Sequence, residues 1–143
     1  QTMFAMVEDL AYLVYEIGRI QTKAKEVITM GGKPAKQAQK TWDALEALRT
    51  DLVVTTGDNY VASAEPELRE RMGELYSNIA TSYDRIDGSL KSNFELISEE
   101  FTTEKTRFMK IMDKDVKKFY KALEKNDLEL PVVKSKEVFL AKD

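Results

Sequence analysis

The sequence predicts an all-α fold, an antiparallel up-down four-helix bundle over residues 1–126 with an extended tail over residues 127–143. Three observations carry that expectation. Apolar residues recur at steps of three and four in four separate segments, the spacing of a helix with one buried stripe. Only six Gly and three Pro are present, too few for the closely spaced turns of a β-sandwich. The chain of 143 residues is 43% hydrophobic and 33% charged, a single-domain size and a globular, charge-rich balance.

The first helix is expected near residues 3–29, with Val7, Leu10, Val14, Ile17, Ala24 and Ile28 as its stripe and Gln21 as the one polar exception. Tyr12, Leu13 and Tyr15 lie beside the stripe and widen it. "MGGKP" ends the helix, because Gly31 and Gly32 accept left-handed backbone and Pro34 suits the first turn of the next. The second helix is expected near 35–53, with Ala38, Trp42, Leu45, Leu48 and Leu52 inward. "VVTTGDNYVAS" then reads as a loop carrying Tyr60, a contact residue or a cover for the bundle end.

The third helix is expected near 65–84, with Pro66 in its first turn and Leu68, Met72, Leu75 and Ile79 on its stripe. The turn at Asp87-Gly88 leads to a fourth helix near 89–125, with Leu90, Phe94, Ile97, Phe101, Phe108, Met112, Val116, Phe119 and Leu123 inward. From Ser89 to Lys125 it would extend roughly 55 Å at 1.5 Å per residue. The β-branched pair Thr102-Thr103 is the expected place for any kink or break. After Asn126 the tail is expected either to pack along the bundle through Leu128, Leu130, Val132 and Val133 or to leave it. Trp42, Leu45, Leu75, Ile97 and Phe119 are the expected core anchors.

The composition excludes much chemistry. The chain has no His and no Cys, so the Ser-His-acid constellation and thiolate metal sites cannot be assembled. The carboxylates Glu70, Glu74, Glu95, Glu99, Glu100 and Glu104 lack the Glu-x-x-His partner of di-metal bundles and are expected to face solvent. No catalytic, cofactor-binding or metal-binding residue is therefore assigned, and no cofactor is expected. The longest apolar run, Leu10–Tyr15, is far short of the roughly 20 residues that cross a bilayer. The N-terminal stretch lacks the basic start of a signal peptide, and a chain opening on Gln1 is expected to be a mature end or an excised piece.

One motif invites a functional reading. Lys110, Lys114, Lys117, Lys121 and Lys125 form a basic stripe along the fourth helix. Residues 105–125 carry eight basic and three acidic residues, a local +5 in a chain of net charge −3, which leaves −8 on the remainder. The stripe reads either as a phosphate-binding surface or as the ordinary outer face of a helix, with lysines near its negative end. The second reading is the expectation here, because the acidic remainder opposes an anionic polymer.

Two segments carry a resemblance. "EPELRERMGELYSNI", with Leu68, Arg69, Leu75 and Tyr76, and "DKDVKKFYKALEKNDLELPVV", with Asp115, Val116, Phe119, Leu123 and Leu128, together resemble the C-terminal helical region of sortilin-like, BNR-repeat "glycosyl hydrolase" β-propeller proteins of Bacteroidetes. The likeness covers about the last half of the chain. It implies a non-catalytic helical appendage of an exported protein, secreted or periplasmic. The propeller would lie upstream with any hydrolase residues. The implied partner is that propeller or another protein, with no nucleic acid and no membrane span, and a homo-oligomer remains open. The alternative is a free-standing helical module that binds an anionic or apolar ligand through the lysine stripe or a groove between helices.

Overall fold

A computed structural model describes residues 3–52, 69–73 and 88–141. The chain is all-α, and no strand occurs among the described residues. α1 spans Met3–Met30 and α2 spans Lys33–Leu52. Residues 69–73 are helical and form the described part of α3. α4 spans Gly88–Ile111, a π-helical turn spans Met112–Val116, α5 spans Lys117–Lys125, and α6 spans Lys136–Leu140. The loop with Tyr60 and most of the expected third helix, Leu75 included, lie outside the described residues.

α1 and α2 form a helical hairpin. Gly31 and Gly32 both hold positive φ, at 77° and 87°, and the Gly31 N–H donates to the Val27 carbonyl at 3.1 Å. A residue with a Cβ is strained in that backbone, so two successive glycines are what permit so tight a reversal. The buried stripe of α1 is Met6, Leu10, Leu13, Ile17, Ile20, Ala24 and Val27. This corrects the expected stripe: Leu13 belongs to the core, while Val7, Val14 and Ile28 flank it half-buried. Gln21 is buried on this stripe because α2 satisfies it, through Glu46 at 3.0 Å and the Trp42 carbonyl at 3.4 Å. The remaining core comes from α2 through Ala38, Leu45, Leu48 and Leu52, from Met72, and from Ile97, Phe101, Phe108, Val116, Phe119 and Leu123.

Trp42 corrects a second expectation. It is half-buried at the core margin, and the Lys25 ammonium lies 5.7 Å from its ring centroid. A cation over an indole face needs the ring partly open to solvent. Leu45, Ile97 and Phe119 are buried as expected.

α4 runs unbroken through Thr102 and Thr103, whose hydroxyls bond back to the Ser98 and Glu99 carbonyls at 3.0 and 3.1 Å. The interruption falls later, at the π turn. The apolar steps Phe108–Met112–Val116 are both four, and each over-rotates a 3.6-residue stripe by about 40°. A wider turn absorbs that drift and returns Val116, Phe119 and Leu123 to the core. The turn is pinned from α2, since Thr41 Oγ1 and Gln37 Nε2 each donate to the Asp115 carbonyl at 3.1 Å. Arg107 ion-pairs with Asp51 at the other end of α2, so the two helices run antiparallel.

α5 ends in a Schellman-type reversal. The Leu128 N–H reaches the Leu123 carbonyl at 2.8 Å, the Asp127 N–H reaches Glu124 at 3.2 Å, and Asp127 takes φ 59°. Asp tolerates this left-handed backbone better than most residues with a side chain. Leu128 then packs against the core margin. Beyond it the tail is extended, but Ser135 caps the short helix α6, a turn not foreseen in the sequence.

Candidate functional site

The lysine stripe is exposed along its whole length, at Lys110, Lys114, Lys117, Lys121 and Lys125. Phe119 and Leu123 point away from it into the core. The fold adds something the stripe alone does not show. The N-terminal half of α2 packs against the π turn and α5, and an open groove of about 650 Å³ lies between them. Gln37, Lys118, Lys121, Ala122, Glu124 and Lys125 line it.

Lys33 and Lys40 stand one helical turn before and after Gln37, on the same face of α2 but outside the lining of this groove. Lys33, Lys36 and Lys40 repeat the three-then-four spacing of Lys118, Lys121 and Lys125. Sequence reasoning passed over the α2 ladder because each lysine sits singly among Gln and Ala. The shared spacing was the signal available. Among the described residues none of these six lysines is within ion-pair distance of a carboxylate, although Asp51, Glu70, Glu100 and Glu104 are all taken up by arginines. Among the described residues one carboxylate, Glu124, shares the groove with the ammonium groups. Both hydrogen bonds of Gln37 to described residues use Nε2, to Asp115 and Thr41, so among these residues its Oε1 stays available as an acceptor.

A second constellation lies on α1, where the tail runs back antiparallel to the helix. Tyr12 donates to the Lys134 carbonyl at 2.6 Å, and the Lys134 N–H donates to the Tyr15 hydroxyl at 3.0 Å. Arg19 Nε reaches the Val132 carbonyl at 3.0 Å, and Lys136 pairs with Asp9. Phe139 stacks on Tyr15 with ring centroids 4.7 Å apart. The tail is thus held by its main chain, the Phe139 ring and the Lys136 ammonium. Leu130 and Val132, expected to pack, are exposed at 39% and 72%.

Under the tail, Asp9, Tyr12, Leu13, Glu16, Lys105, Phe108, Met109 and Lys136 line a cleft of about 300 Å³. Burial pushes the Glu16 carboxyl above its ordinary range. Burial, and then the charge of Glu16, raise the hydroxyls of Tyr12 and Tyr120.

No group of three or more metal-competent side chains occurs among the described residues, and Glu74 lies outside them. No helix is long and apolar enough to cross a membrane, as judged over the described residues. Comparison with protein-family models, curated proteins and solved structures returns no match.

Proposed function

We propose that this chain is a non-catalytic helical interaction module that holds an anionic partner in the lysine-lined groove between α2 and α5. The observation that supports this reading is that Lys118, Lys121 and Lys125 of α5, unpaired among the described residues, line one open groove against Gln37 of α2. Unpaired ammonium groups gathered on one surface raise the local potential and favour a negative ligand. A non-catalytic role is supported by the absence of His and Cys from the whole chain. The resemblance to the helical C-terminal region of exported β-propeller proteins supports a further step, in which the module sits beside a propeller outside the cytoplasm and docks that propeller or another protein.

The test is binding of simple polyanions at physiological ionic strength by isothermal titration, with octaglutamate, tripolyphosphate, heparin and single-stranded DNA as probes. At least one should bind, with affinity falling as salt rises, and the Lys118→Gln/Lys121→Gln/Lys125→Gln variant should lose it. If no probe binds, or the triple variant binds as the parent does, the proposed function is wrong.

A further inference from the structure

We infer that the ligand of this groove is a short acidic peptide segment of a protein partner, not a nucleic acid or another long polyanion; the inference rests on the function proposed above.

Length is the first argument. From Lys118 to Lys125 the α5 ladder rises about 10 Å at 1.5 Å per residue, and the Lys33–Lys40 ladder rises the same. That spans two turns of an acidic helix, or roughly three residues of extended chain. Lys110, Lys114 and Lys117 carry the basic face further along the same helical run, outside the groove. The chain is net −3, and the part outside residues 105–125 is −8, so a longer polyanion meets repulsion once it leaves that face.

Chemistry is the second argument. Among the described residues the groove has neither an arginine nor an aromatic side chain in its lining. It offers no planar fork for bidentate phosphate contacts and no ring on which a base can stack. Compact ammonium groups at helical spacing suit carboxylates that repeat every three or four residues.

The third argument concerns the acceptors. Gln37 Oε1 and the Glu124 carboxylate sit among the lysines. Neither can donate to a phosphate oxygen, and Glu124 repels one. A peptide carries N–H donors beside its carboxylates and can meet both groups. A phosphodiester backbone carries no donor and leaves both acceptors facing negative charge.

The same four probes decide between these ligands. Octaglutamate should bind at least about tenfold tighter than single-stranded DNA or heparin of equal charge, the margin expected if two or three charge pairs and one hydrogen bond are lost. Lys118→Gln/Lys121→Gln/Lys125→Gln should weaken octaglutamate about tenfold or more. A control variant, Lys110→Gln/Lys114→Gln, removes lysines that lie outside the groove and should leave its affinity within about twofold. The variants are exposed changes, and their circular dichroism should match the parent. If heparin or DNA binds as tightly as octaglutamate and the triple variant loses it, the acidic-peptide inference is overturned while the anion-binding function stands. If the control variant weakens octaglutamate as much as the triple variant, binding is diffuse and the groove is not the site.

Discussion

The hydroxyl of Thr41, fully buried on α2, donates to the main-chain carbonyl of Asp115 in the π turn at 3.1 Å. Gln37 donates to the same carbonyl one helical turn away. The geometry of the groove therefore depends on a polar contact beneath it. Replacing Thr41 with Val keeps the shape and removes the donor. Because Gln37 still serves the carbonyl, the expected loss is about 1 kcal/mol, near the net worth of one hydrogen bond. Urea denaturation measures it, and a loss above about 3 kcal/mol would mean that Gln37 does not compensate.

Phe119 reaches the core from the helix that carries the lysines. Phe119→Ala should cost about 3–5 kcal/mol, the range for truncating a fully buried aromatic residue. A loss below about 1 kcal/mol would place this part of α5 in solvent and reverse the assignment of its two faces.

Glu16 sets a pH dependence. Burial raises its carboxyl in the folded chain, so the folded state holds the proton more tightly than the unfolded state does. Stability from this residue is full below the ordinary carboxyl range, about 4.3, and is lost as pH rises through the raised folded value. Glu16→Gln should therefore melt higher than the parent at pH 7 and lose that advantage near pH 4. Tyr12 and Tyr120 face Glu16 and stay neutral over this window, and Asp9, Lys105 and Lys136 share its cleft. An unchanged difference between pH 4 and pH 7 would show that Glu16 is as solvated folded as unfolded.

Two tyrosine hydroxyls hold the Lys134 peptide of the tail. Tyr12→Phe with Tyr15→Phe removes both partners of the Lys134 peptide while keeping the rings against Phe139. Global stability should change by no more than about 2 kcal/mol, and hydrogen exchange at the Lys134 amide should accelerate at least about tenfold. Protection at Lys134 equal to the parent's would mean that the hydroxyls do not hold the tail.

The helices were legible because apolar periodicity and Gly-Pro punctuation are local signals. The hairpin glycines, the α2 core apart from Trp42 and the inward run from Ile97 to Leu123 follow from spacing. The π turn was less legible. A β-branched pair such as Thr102-Thr103 is a weak propensity signal, and a long packed helix overrides it. Two consecutive steps of four around Met112 held the information, but only against a fixed partner helix. The tail was read by its apolar side chains, whereas it binds through peptide groups, which no side-chain pattern records. The groove needed both of its walls, and Gln37 of α2 and the lysines of α5 lie about eighty positions apart.

The π turn between Ile111 and Lys117 acts as a register device. A single-residue deletion there would turn everything beyond it by about 100° around the helix axis. Phe119 and Leu123 would swing outward, and the ammonium ladder would no longer line the groove beside Gln37. Such a deletion inside an exposed loop is usually absorbed, whereas here it would cost the core and the groove together. Length in this stretch of five residues is thus under tighter constraint than the identity of its exposed side chains.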